Sequence, residues 1–196
     1  IEAYERAKKE GITGVPTPWA TLNHITRGWQ EEEFIIFAAR PGSGKTWLLL
    51  IMALWAKQEG KKVLVGSTEM SGLSLSRRAA ALATKVSYGK IRHGNLDSMT
   101  EERFKNELRA LKDDTGLMVM GDGFKVTIES IEAAIVEHKP ALVCIDGFYL
   151  LKSPAIKARD RLSRIAEVVE LLKEVAKRTK TPIIGTTQMN RAPKEG

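Results

Sequence analysis

Cysteine is almost missing: Cys144 is the single one among 196 residues, and it lies inside an apolar run. No disulfide framework or cysteine-based metal site can be built from it, which fits a reducing cytoplasm. Histidine is nearly as scarce, and His24, His93 and His138 are scattered without ligand-spaced partners, so no zinc site is read. No apolar run approaches the roughly 20 residues that span a bilayer. The most apolar stretch, Trp47 to Trp55, is short and leads into Lys57 and Gln58. A secretion signal is absent too, because the first residues are charged from Glu2 onward. Ile1 is not an initiator methionine, so a native N-terminal part is expected ahead of it. Internal repeats and low-complexity tracts are missing as well.

What remains is the profile of a globular domain, 43% hydrophobic and 28% charged, with enough chain for one sizeable core. The net charge of +7 suits a polyanionic partner without demanding one. A short amphipathic helix over Ile1 to Lys9 is stopped by Gly11. Residues 1–13 therefore read as a linker helix and linker, and 14–196 as the domain. The turn-rich Gly14-Val15-Pro16-Thr17-Pro18-Trp19 looks like a linker feeding it.

Beyond this point short apolar runs alternate with helical patterns. Strands are expected at Phe34–Ala39, Val63–Gly66, Leu117–Met120, Ala141–Ile145 and Pro182–Thr186. Helices are expected at Lys45–Gln58, about Leu73–Lys85, from the capping pair Ser98/Glu101 to Leu111, about Ile128–His138 and about Asp160–Arg178. Strands alternating with helices imply an α/β fold, a mostly parallel central sheet flanked by helices on both faces.

Ala39 to Thr46 read A-R-P-G-S-G-K-T, directly after a strand and before a helix, the context a Walker A phosphate loop requires. Gly42 and Gly44 let backbone N–H groups turn inward around phosphate oxygens without Cβ clashes. Arg40, Pro41, Gly42, Ser43, Gly44, Lys45 and Thr46 are thus the expected nucleotide cradle. The helix starting near Lys45 adds its positive dipole end. Lys45 would reach the β- and γ-phosphates, and the Thr46 hydroxyl would bind Mg²⁺. Ala39 stands where such loops usually carry their first glycine.

Ala141 to Asp146 form an apolar strand ending in a carboxylate, a Walker B pattern that would put Asp146 in the Mg²⁺ shell opposite Thr46. Gly147 follows, rather than the glutamate that many such ATPases carry there, so the base must lie elsewhere. Glu69 answers, just past a strand expected to neighbour the Walker A strand, where a carboxylate can orient and polarise water for in-line attack on the γ-phosphate. Gln188, at the end of the last strand, can contact the γ-phosphate and report its loss to the loop beyond. No guanine-reading N-K-x-D sequence is present, and ATP is the expected nucleotide.

These residues together resemble the DnaB family of replicative helicases. Similar family stretches match Gly14-Val15-Pro16-Thr17, Leu22, Gly28, the A-R-P form of Walker A at Ala39–Pro41, Glu69-Met70-Ser71, Arg78, Arg92 to Leu96, and Thr187-Gln188-Met189-Asn190-Arg191. The resemblance implies a RecA-like P-loop NTPase that assembles as a homohexamer, hydrolyses nucleotide at subunit interfaces and moves 5′ to 3′ on single-stranded DNA. Primase and a helicase loader are further partners it suggests. Where the family tends to have Y-L-Q-L after the Walker B Asp, this chain has Gly147-Phe148-Tyr149-Leu150. The chain also stops at Gly196, before the family's arginine finger and much of its principal DNA loop.

Between Lys152 and Lys180 there are nine Lys/Arg against four Asp/Glu. Lys152, Lys157, Arg159 and Arg161 form a loop that could follow DNA phosphates without reading sequence, and Arg191 and Lys194 begin a second. Arg164, Lys173, Lys177 and Arg178 read as a solvated helix face. Trp19, Trp29, Trp47 and Trp55 read as packing residues. The competing readings are a RecA- or KaiC-like ATPase without unwinding activity, and a nucleotide-dependent assembly module.

Overall fold

The computed structural model describes residues 11–112, 114–120 and 126–189. The helix expected over Ile1–Lys9 and the loop residues Arg191 and Lys194 lie outside them.

Five parallel strands form one sheet: β1 (Phe34–Ala39), β2 (Val63–Ser67), β3 (Leu117–Met120), β4 (Leu142–Asp146) and β5 (Ile183–Gln188). Seven α-helices accompany them among the described residues: α1 (Ala20–Thr26), α2 (Lys45–Gln58), α3 (Gly72–Thr84), α4 (Tyr88–Arg92), α5 (Ser98–Lys112), α6 (Ile128–His138) and α7 (Arg161–Thr179), with a single 3₁₀ turn at Phe148–Leu150. Alternate residues of each central strand enter opposite cores, as the two-residue strand period requires. On one face Val63, Val65, Leu142, Cys144 and Ile184 pack with Leu49, Ala53, Leu75 and Phe104 of α2, α3 and α5. On the other, Leu64, Val143, Ile145 and Ile183 pack with Ile131, Ile135, Val168 and Leu172 of α6 and α7. Each buried Val, Leu, Ile or Phe among them contributes about 1.5–3 kcal/mol, so either face can hold its helices without help from polar contacts.

The strand order is β1-β5-β4-β2-β3. This corrects one expectation: β2, which leads to Glu69, does not neighbour the Walker A strand, since β5 and β4 stand between them. The physical reason is burial. Every residue of β2 and β4 is buried, so both need partners on each side, whereas β1 is half-exposed, with Ile36 41% accessible, and takes an edge.

A second correction concerns the start of α5. Ser98 is already helical, and the cap is Asp97, whose Oδ1 accepts from the Thr100 N–H at 2.9 Å. Hydrogen bonds from Thr100 hold the Asp97 carboxyl below the usual carboxylate range. A reciprocal capping box does occur, at Thr127 and Ser130, opening α6. Asp160 caps α7 through the Ser163 N–H at 2.9 Å. The Gly14–Trp19 segment, expected as a linker, is anchored in the domain at Val15 and Thr17, whereas Trp19, expected as a packing residue, is exposed. Val15 and Trp29 exchange backbone hydrogen bonds at 2.9 and 2.8 Å, and both are buried with Thr17.

Candidate functional site

The register of the sheet brings distant residues to one edge. Ala39 stands opposite Gln188 across β1 and β5, and Ser67 stands opposite Asp146 across β2 and β4. The phosphate loop, the β2–α3 turn, Asp146 and Gln188 therefore share the carboxyl end of the strands, where ligands bind in open parallel sheets. A cavity of about 720 Å³ lined by Trp29, Lys61, Lys139 and Lys180 carries none of these groups.

In the loop, Gly42 and Gly44 take positive φ values of 76° and 88°, and beyond the flanking residues nothing lies within 4 Å of where a Cβ would sit at either. Gly44 also precedes the first turn of α2, whose N–H groups open toward the cup. The Lys45 ammonium donates to the loop's own carbonyls, Ala39 at 3.3 Å and Arg40 at 3.2 Å. It thus lies within the loop it would serve.

Asp146 is the buried centre, 1% exposed. Its Oδ2 accepts from the Thr46 hydroxyl at 2.9 Å and from Ser67 at 3.4 Å, and its Oδ1 accepts from Thr186 at 2.8 Å. All three donors are neutral hydroxyls. None of these partners carries a positive charge, and a buried carboxyl in such surroundings suits a hard divalent cation. The donor set, one carboxylate beside a threonine hydroxyl next to a phosphate cradle, is the kind Mg²⁺ takes when phosphate oxygens and waters complete its shell.

Ser67 links this centre to Glu69. Its hydroxyl oxygen accepts from the Glu69 N–H at 3.1 Å and the Met70 N–H at 3.0 Å while its proton faces Asp146. The Thr68 N–H donates to the Asp146 carbonyl at 3.0 Å, and the Thr68 hydroxyl to the Gly147 carbonyl at 2.6 Å. The turn carrying Glu69 is thus stitched to β4 rather than to β1. Its carboxylate is exposed and accepts from the Tyr149 hydroxyl at 2.9 Å. Burial, then the bond to Glu69, pushes the Tyr149 phenol up to about 12.

Gly147 is required here twice over. Its φ is 75°, and a Cβ would come within 2.7 Å of Glu69 Cγ and 2.8 Å of Thr68 Oγ1. The glycine that follows Asp146 therefore makes room for the Glu69 side chain. Gln188 is half-buried, and the Met189 N–H beside it donates to the Ala39 carbonyl at 3.1 Å, tying the end of β5 to the start of the phosphate loop.

Lys152, Lys157 and Arg159 are exposed on the segment between β4 and α7, and Arg161, expected in the same loop, is exposed as the first residue of α7. Ser67, Thr186, Gly147 and Tyr149 escaped the sequence reading as site residues. A run of hydroxyl residues closing an apolar strand, as at Ser67-Thr68 and Thr186-Thr187, was the available signal. Trp47, expected as packing, meets Tyr88 edge-on at 5.2 Å, with the Arg78 guanidinium 5.2 Å from its ring centroid.

A model of the DnaB-like helicase C terminal domain family matches residues 14–195. The chain belongs to this family. The replicative DNA helicase DnaB of Buchnera aphidicola subsp. Baizongia pistaciae is 32% identical over 98% of this chain and 42% of its own length. That of Helicobacter pylori is 30% identical over 92% of this chain and 38% of its own. The chain thus spans about two fifths of the length of these DnaB relatives. Among solved structures, an ATPase domain superposes with a TM-score of 0.84 at 24% identity, over 97% of this chain and 69% of that one. A DnaB-like replicative helicase, from a structure describing its interactions with primase, gives 0.82 at 24% identity over 97% and 47%. Among the described residues of this DnaB-type domain, no helix is long and apolar enough to cross a membrane.

Proposed function

We propose that this chain, as a domain over residues 14–196, is the ATP-hydrolysing motor of a replicative DNA helicase. The observation that carries this reading is the Thr46–Asp146–Ser67 hydroxyl and carboxylate cluster, with Glu69 tied to it through Ser67. Arg40 to Thr46 wrap the phosphates of ATP, and Lys45 neutralises the β- and γ-oxygens. Thr46 and Asp146 would hold Mg²⁺, which when bound would supply positive charge to neutralise the transferring phosphate. Glu69, facing solvent, accepts a proton from and orients the attacking water. Gln188 senses the γ-phosphate and, through the neighbouring Met189 bond to Ala39, couples its loss to the segment beyond β5.

In the same reading the domain works in a cytoplasmic homohexamer, moves 5′ to 3′ on single-stranded DNA and meets primase and a loader. Lys152, Lys157, Arg159 and Arg161, together with Arg191 and Lys194, follow the phosphate backbone. ATP turnover by the complete native protein, with and without single-stranded DNA, tests this. Strong stimulation by DNA is the expected result. Turnover indifferent to DNA would sink the helicase reading and favour a RecA- or KaiC-like ATPase.

A further inference from the structure

The segment 152–160 is basic, exposed and yet built. At its start Thr127 and Lys152 form a parallel bridge, and the Ser153 hydroxyl donates to Glu129. At its end Asp160 caps α7. Between these points Ile156 packs onto the α6–α7 core. The next two residues are held by one atom from ten residues downstream: Glu167 Oε2 accepts the N–H of Lys157 at 2.8 Å and of Ala158 at 3.1 Å. From 152 to 169 there are two acidic side chains, Asp160 and Glu167, and both are turned onto backbone N–H groups. Lys157 and Arg159 are both exposed beside the clasped pair of peptides.

We propose that Glu167 is a positioning residue for single-stranded DNA, clasping the 157–158 backbone so that Lys157 and Arg159 present a fixed pair of cations to successive phosphates. The proposal rests on the reading of this loop as DNA-facing. Two adjacent N–H groups donating to one side-chain oxygen fix the turn through the position of that acceptor. A loop fixed in its binding shape loses less conformational entropy when a strand docks than one that must order first.

The proposal makes an acidic residue favour binding of a polyanion, opposite to what simple electrostatics gives. Four variants of the full-length native protein separate the effects, read as equilibrium binding of a fluorescein-labelled oligothymidylate across a salt series. Glu167→Gln loses the charge but keeps an acceptor oxygen, and is expected to bind as well as the unaltered protein or better. Glu167→Ala loses both, and Glu167→Asp keeps the charge but withdraws the oxygen by about 1.5 Å. Both are expected to bind ~5-fold or more weakly, with the salt slope reduced by about one phosphate contact, ~0.7. Melting temperatures are taken alongside, and the Gln–Asp comparison stands even where the Ala variant folds poorly. If Asp and Ala bind as tightly as Gln, the clasp is overturned. The double variant Lys157→Ala/Arg159→Ala is expected to bind more weakly. If instead it binds like the unaltered protein, the loop is off the DNA path, and it is the underlying reading that fails.

Discussion

Tyr149 and Glu69 are 80 residues apart in the chain, yet the phenol of one donates to the carboxylate of the other at 2.9 Å. The pairing gives a role to a position at which the sequence departs from the family pattern. A tyrosine pushed up to about 12 stays protonated through the neutral and moderately alkaline range and remains a donor there. Tyr149→Phe removes that donor without changing the ring. Steady-state kinetics should show kcat for ATP falling ~5-fold, the worth of about one hydrogen bond, with KM little changed. A raised KM at unchanged kcat would instead make Tyr149 a substrate-binding residue.

Gly147→Ala forces a Cβ into the space that Glu69 Cγ and Thr68 Oγ1 occupy, on a backbone at φ 75°. The strain costs ~1–3 kcal/mol and acts on the turn that carries Glu69. A melting curve should register a loss of several degrees, and turnover should fall by more than that loss of folded protein explains.

Glu69→Gln keeps the shape of the side chain and removes the proton acceptor. Turnover is expected to drop ~10²–10⁴-fold while binding of a fluorescent ATP analogue persists. Because the turn is held by Ser67 through backbone N–H groups, the substitution leaves its hydrogen bonds in place. Survival of full turnover would remove Glu69 from the mechanism.

Asp114 ties the end of α2 to the start of β3, pairing with Lys57 and accepting the Gly116 N–H at 2.7 Å. Burial works to raise its carboxyl, but the Lys57 ammonium and the Gly116 N–H outweigh that and hold it below the ordinary 3.8. A depressed folded-state value contributes stability above the unfolded value, which is lost as pH falls through the folded one. Asp114→Asn should therefore be less stable than the unaltered protein near neutrality. The gap should close as the pH drops well below 3.8, which chemical denaturation at a series of pH values would show.

Much of this architecture was legible because the elements carry their own boundaries. Phe34–Ala39, Lys45–Gln58, Leu117–Met120 and Ile128–His138 appear at the limits read from apolar runs, glycine stops and cap residues. The short α1 and α4 were not legible: helices of seven and five residues have no room for an apolar stripe to repeat, and packing rather than periodicity holds them. Strand order was also hidden. The connection from β1 to β2 leaves room for β5 and β4, which the chain supplies only after β3, and nothing in Val63–Ser67 records that insertion. The phosphate loop could be read because its residues, Arg40 to Thr46, are contiguous. The surroundings of Asp146 could not, because Ser67, Thr186 and Thr46 reach it from separate strand ends and a helix start.

That last arrangement has a kinetic side. Thr46 and Asp146 are 100 residues apart and Thr186 is another 40 along, so their meeting closes long loops of chain. Contacts of such separation form late, since the entropy of loop closure is spent before they reward it. A partly zipped sheet, with β2 and β3 paired but β4 and β5 not yet inserted, would already own an intact Ala39–Thr46 sequence but not the hydroxyl and carboxylate cluster around Asp146. On the proposed reading, tight magnesium-nucleotide binding is then a property of the finished topology alone, and adding the nucleotide during refolding should draw the last strands home by mass action.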